Sequence, residues 1–169
     1  MFSKKYQYIW NMKTTQDIIT ELNPNEIFVF GSNLDGFHAG GAAFTAFKKF
    51  GAKMGQAVGL QGQSYAIPTL SHAGGTREHM LSVNEIGNYV SEFLNFAAAN
   101  PQYEFLVTPI GCGIAGFTPQ QIAPLFAEAY NLENVHLPES FINELDSQNS
   151  LKESIIENVT KMLLEKRKP

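Results

Sequence analysis

Apolar and polar positions along the chain alternate between two kinds of segment. The first is the short unbroken apolar run. Ile27, Phe28, Val29 and Phe30 follow one another with no polar interruption, as do most of residues 103–110, and both runs have the length of a strand buried on two faces. Tyr65-Ala66-Ile67-Pro68 and Val135-His136-Leu137 are shorter runs of the same type, each ended by a proline. The second kind is the stripe at helical spacing. Ala42, Ala43, Ala46, Phe47 and Phe50 predict a helix stopped by Gly51. Val83, Ile86, Val90, Phe93, Leu94 and Ala97 predict a longer one through about residue 99, opened by the capping box Ser82/Glu85. Thr118-Pro119-Gln120-Gln121 joins a cap, a proline at the first helical position and a glutamine three residues on, which predicts a helix to about residue 130. Ile18, Ile19 and Leu22 behind Thr14 or Thr15 predict a short helix stopped at Asn23-Pro24-Asn25. Leu151, Ile155, Val159, Met162 and Leu163 behind Ser150/Glu153 predict a final amphipathic helix, with residues 146–149 as a polar hinge. Residues 1–13 mix aromatics with lysines and are a candidate edge strand, while residues 55–63 and 71–76 read as loops.

Strands alternating with capped helices imply an α/β protein, a three-layer α/β/α sandwich around a mixed sheet. At 169 residues there is room for one core, expected over residues 1–145, with the helix of 146–169 packed on it or on a partner, a homo-oligomer included. The net charge of −4 and the confinement of dense basic residues to Lys166-Arg167-Lys168 argue against a nucleic-acid partner. No apolar stretch reaches the roughly 18–20 residues of a membrane span, and no leader is recognisable, so a cytoplasmic protein without a membrane partner is expected. A single cysteine, Cys112, excludes an internal disulfide, and the histidines have no metal-ligand spacing, so no metal and no resident cofactor are expected.

Candidate chemistry concentrates in two glycine-rich segments, residues 31–41 and 111–117, each after an apolar strand and before a helix. Glycine lets backbone N–H groups approach a ligand and adopt the positive φ angles that turn successive N–H groups inward. The helix dipole adds partial positive charge at the same spot, so a diphosphate suits both places. The second segment, Gly111-Cys112-Gly113-Ile114-Ala115-Gly116, also spells the dinucleotide fingerprint. The acidic residue that such a fold needs at the end of the next strand is not evident: Glu133 precedes that strand. No G-x-x-x-x-G-K-[ST] phosphate loop occurs.

The ordered series FGSN (30–33), HAGGAA (38–43), GLQGQSYAIPT (59–69) and TPIGCGIAGFTP (108–119) resembles the macrodomain family, most closely its divergent bacterial and phage members. The resemblance spans roughly residues 17–138 and implies a macrodomain-like fold that binds ADP-ribose. It implies Asn33 on the distal ribose, Gly40 and Gly41 beside that ribose and the diphosphate, and residues Gly111, Cys112, Gly113, Ile114, Ala115 and Gly116 around the diphosphate. It implies Phe117 beside the ligand and Asp17 on the adenine amino group, although the spacing from Asp17 to Asn33 is two residues too long and a surface aspartate is the alternative. Ala43 stands where hydrolytic members carry a catalytic aspartate, and paired glutamates are missing, so the resemblance supports binding more than any named hydrolysis.

Among the remaining residues, His38 in the first segment is the candidate acid or base. Cys112 lies where a helix N-terminus would lower a thiol pKa, with small-residue packing as the alternative. Gln61, Gln63 and Arg77 are possible polar contacts or plain surface residues. The resulting expectation is a protein that binds ADP-ribose or a related nucleotide, with hydrolysis of a derivative left open, against two rivals: a non-catalytic sensor and a nicotinamide-dependent oxidoreductase.

Overall fold

The computed structural model describes residues 12–74 and 77–166. The edge strand considered for residues 1–13 therefore falls almost wholly outside the described residues, as does the end of the basic tail. Six strands form one sheet: β1 (Thr14–Thr15), β2 (Glu26–Asn33), β3 (Gly59–Gln61), β4 (Ser64–Leu70), β5 (Glu104–Val107) and β6 (Val135–Pro138). Their order is β1-β6-β5-β2-β4-β3, parallel throughout except for the antiparallel pair β3–β4. The helices are α1 (Gly41–Lys49), α2 (Val83–Ala99), α3 (Pro119–Ile122), which tightens into a 3-10 stretch over Ala123–Asn131, and α4 (Glu139–Glu165).

Strand β2 is central, and its alternation divides the core in two. Ile27 and Val29 join Ile67, Phe105 and Val107 under α2, α3 and the first turns of α4. Phe28 and Phe30 point the other way, into a smaller cluster with Ala43, Ala46 and Phe50 of α1. The chain is thus a three-layer α/β/α sandwich with a mixed sheet. Helix α2 begins at the expected box: Glu85 N–H donates to Ser82 Oγ (3.2 Å) and Ser82 N–H to Glu85 Oε2 (2.8 Å). Its Phe93 ring packs edge-on against Tyr65 and Phe105.

Three expectations are corrected. Residues 14–23 are not helical. Thr14 pairs with Leu137, and Thr15 is buried with its hydroxyl donating to the His136 carbonyl (2.9 Å), so the candidate cap serves a parallel edge strand instead. The loop expected over residues 55–63 contains β3, which forms a hairpin with β4. The turn needs glycine: Gly62 has φ +58°, and a Cβ there would stand 2.7 Å from Gly51 Cα. Finally, α4 starts at Glu139 and runs unbroken through residues 146–149, so these are no hinge and Ser150/Glu153 is not a helix start. The early start is set by packing, since Phe141 and Leu145 are buried and Tyr130 Oη donates to Asp146 (2.6 Å). Strand β5 is also shorter than its apolar run, and from Thr108 the chain leaves the sheet towards the second glycine segment.

Candidate ligand-binding cleft

The order β5-β2-β4 makes β2 a switch point. From its carboxyl end the chain turns into α1 on one face, while β5 leads into α3 on the other. In an open α/β sheet, loops that part in this way leave a crevice between them. A cleft of about 410 Å3 occupies that position, within the roughly 300–1,000 Å3 range of small-ligand sites. Both glycine segments line it, together with Thr69 and Leu70 from the end of β4 and Ala73-Gly74 beyond it.

Glycine allows the two junctions to meet. A Cβ on Gly31 would lie 3.5 Å from Gly111 N, so β2 and the second segment touch backbone to backbone. A Cβ on Gly40 would stand 3.0 Å from Ile114 Cδ1, which brings the exposed Ile114 side chain over the start of α1. Gly41, the first residue of α1, has φ +56°, against the right-handed turns that follow. Such a reversal of hand directs successive N–H groups to one side.

The hydrogen-bond accounting shows what this backbone offers. Helix α1 has Gly40 as its N-cap, with no side-chain cap, and its first internal acceptor serves Phe44. Among the described hydrogen bonds, none uses the N–H groups of Ala39, Gly40, Gly41, Ala42 or Ala43. In the second segment, Cys112 N–H donates to Pro109 (3.1 Å), Gly116 N–H to Gly113 (3.0 Å) and Phe117 N–H to Gly111 (2.9 Å). These bonds close the loop on itself and leave the N–H groups of Gly111, Gly113, Ile114 and Ala115 without a described acceptor. All of these residues line the cleft, so it is walled by unused donors at two places.

Among the described residues, no charged or titratable side chain lines it. From the described residues, an anion here would be met by backbone donors and the α1 dipole. The lining hydroxyls are already engaged as donors: Thr69 Oγ1 to the Ser32 carbonyl (3.3 Å), Thr108 Oγ1 to Val29 (2.8 Å) and Ser32 Oγ to Ala57 (2.6 Å). Each keeps acceptor capacity. Phe37 and Ile114, 53% and 64% exposed, form apolar lips.

Of the residues singled out in the sequence, Asn33, Gly40, Gly41, Gly111, Gly113, Ile114 and Ala115 are brought together along the cleft, and Asp17, His38, Cys112, Gly116 and Phe117 are not. Asn33 serves the loop as well: its Oδ1 accepts from Phe37 N–H (3.0 Å) and its Nδ2 donates to the Phe37 carbonyl (2.9 Å), leaving one N–H and one lone pair. Asp17 is exposed in an irregular segment. Phe117 turns inward, where its ring packs beneath Gly111 in the larger core cluster. Cys112 is half-buried against the same cluster, and burial pushes its thiol up, opposite to the lowering expected from a helix N-terminus.

The assignment of His38 as acid or base is likewise corrected. The residue is fully buried behind the cleft wall, edge-on to Phe30 with ring centroids 5.2 Å apart. Its Nε2 donates to the Gln56 carbonyl (3.2 Å), and its Nδ1 is buried with no described partner. It packs the loop and reaches no ligand surface. Gln61 also closes structure, with its Oε1 accepting from Lys53 N–H (2.6 Å) and its Nε2 donating to Gln56 (3.1 Å).

One group of side chains was missed. Asp35, His72 and His79 converge beside the segment that carries Ala73 and Gly74 into the cleft. Asp35 accepts from Ala73 N–H (3.0 Å) and lies 3.4 Å from His72 Nδ1, and the His72 and His79 rings meet edge-to-face at 5.3 Å. The Ala73 amide, with the histidine contacts, holds the Asp35 carboxyl below its usual range. Their separations of 37 and 44 residues hid this proximity, which only the strand register of β2 and β4 creates. Among the described residues no cluster of His, Cys, Asp or Glu is arranged to hold a metal, and no helix is long and apolar enough to cross a membrane. Comparison with known proteins returns no relative: no family model, no curated protein and no solved structure matches the chain.

Proposed function

We propose that this chain binds ADP-ribose or a related ADP-ribose-containing nucleotide, with the diphosphate held between the start of α1 and the segment from Gly111 to Ala115. The observation that carries the reading is the pairing of two sets of unused backbone donors on one cleft of nucleotide-compatible size. The macrodomain-like order of motifs supports the choice of ADP-ribose, because it sets Asn33 beside the loop that would face the distal ribose. A diphosphate accepts several N–H bonds at once, and charge-assisted bonds of this kind are worth about 1.5–3 kcal/mol each. The apolar lips Phe37 and Ile114 offer cover to the less polar parts of the ligand.

Within this reading, binding without chemistry is favoured over hydrolysis. Proton transfer requires a titratable group within hydrogen-bond reach, and the described residues of the cleft lining supply none. The sensor is therefore the preferred form. A nicotinamide-dependent oxidoreductase is less well supported, because the cleft lies between β2 and β5 and not between β5 and β6. In addition, Gly116 and Glu139, the first acidic residue after β6, stand outside the lining.

Calorimetric titration with ADP-ribose, ADP and NAD tests the proposal. Micromolar binding of ADP-ribose, weaker binding of ADP and no turnover of ADP-ribosylated protein are expected. No heat with any of the three rejects the nucleotide reading, turnover rejects the sensor form, and a strong preference for NAD supports the oxidoreductase.

A further inference from the structure

We infer that α4 is a self-association element: its outer half, residues 150–166, pairs antiparallel with the same segment of a second copy of the chain. Helix α4 packs on the sheet only through its first turns, where Phe141 and Leu145 are buried, and every described residue from Ser150 to Lys166 is exposed. An isolated helix of this length is marginal in water, because most helical stability in proteins comes from packing an apolar face. This half carries such a face. At 3.6 residues per turn, Leu151, Ile155, Ile156, Val159, Met162 and Leu163 fall within an arc of about 140°, and each is between 49% and 64% exposed. Together they present roughly 600 Å2 of apolar surface, the upper end of what a monomer leaves open and about three-quarters of one partner's share of a standard interface.

Charge selects the occupant and its direction. Residues 150–158 carry Lys152 against Glu153 and Glu157, a net −1. Residues 159–166 carry Lys161 and Lys166 against Glu165, a net +1. Antiparallel pairing lays the acidic half of each copy on the basic half of the other, whereas parallel pairing aligns the two basic ends. A lipid surface fits less well. Helices that lie on membranes carry Lys and Arg on the polar face, and the polar face here holds Glu153, Glu157 and Glu165 with Lys161.

Sedimentation equilibrium of the full chain tests the pairing. The expected mass at tens of micromolar is about twice the chain's 18.7 kDa, and Ile155→Glu/Leu163→Glu returns it to the single-chain value with an unchanged melting temperature for the sandwich. Orientation is read by cysteines in a Cys112→Ala background. Asn158→Cys, near the centre of the paired segment, forms a disulfide-linked dimer under mild oxidation, while Leu151→Cys, on the apolar arc at its end, does not. A chain that stays monomeric to 100 µM, a Leu151→Cys cross-link as efficient as that of Asn158→Cys, or a monomer that binds acidic lipid vesicles overturns the inference. Nucleotide titration of the same double variant keeps this test separate, because its cleft is untouched and its affinity should match that of the parent chain.

Discussion

Gly113→Val separates the ligand's needs from the fold's. Gly113 lines the cleft, its φ is not in the left-handed region, and a Cβ built on it meets nothing within 4 Å. A valine is therefore accommodated by the free protein at a cost within about 0.5 kcal/mol, the usual range for surface substitutions away from special features. For the ligand the change is severe. It adds a branched side chain to the cleft-lining segment whose N–H groups, those of Gly111, Gly113, Ile114 and Ala115, a diphosphate must approach to about 2.9 Å. Loss of two charge-assisted bonds at about 1.5–3 kcal/mol each sums to about 3–6 kcal/mol, a fall in affinity of roughly 100- to 20,000-fold. Calorimetry with ADP-ribose measures the affinity, and a melting curve of the free protein measures the fold. An affinity within threefold of the parent's, with an unchanged melting temperature, would falsify the assignment of the second glycine segment to the diphosphate.

Other substitutions probe single contacts. Asn33→Ala removes two hydrogen bonds to the Phe37 backbone, so it should lower stability by about 1–3 kcal/mol in denaturant titration and weaken ADP-ribose more than ADP; equal losses for both ligands contradict a ribose contact. His38→Ala opens a hole beside Phe30 and removes one of the two donors to the Gln56 carbonyl, so the melting temperature should fall, while ADP-ribose affinity measured well below that temperature stays within threefold; a selective loss of affinity would restore His38 to the site. Glu104 accepts from His136 (2.6 Å) and Lys13 (3.0 Å). Burial alone would raise its pKa, but these partners outweigh burial and hold it below the ordinary value of 4.5. A carboxylate depressed in the folded state stabilises above its unfolded pKa and loses that contribution as pH falls through the folded one. The parent chain should therefore lose stability between about pH 5 and pH 3, and Glu104→Gln should flatten that part of the stability–pH curve; identical curves for the two proteins would show that the pairing contributes nothing.

Elements set by local rules were legible in the chain, and elements set by distant partners were not. The capping boxes at Ser82 and Thr118, the stripe of α2, the two-faced run of β2 and the stop at Gly51 all rest on interactions within a few residues, and each is present in the fold. Both glycine segments were also visible, because a strand running straight into glycine and then a helix leaves little else for the backbone to do. Three outcomes needed the whole sheet. Thr14 and Thr15 became a strand because β6 offered an open parallel edge, and β3 formed because Gly51 and Gly62 let two turns touch. Side-chain direction within the loops also waited for packing. Whether His38, Cys112 and Phe117 faced a ligand or the core depended on which neighbours filled the space behind them, and in each case apolar contacts drew the side chain inward. Sequence spacing thus determined where backbone donors cluster. The strand order, which sets β4 and β5 on either side of β2, decided that both clusters share one cleft and that Asp35 meets His72 at its edge. Backbone geometry is dictated by neighbours in the chain, whereas the meeting of two loops some 80 residues apart is dictated only by the sheet that carries them.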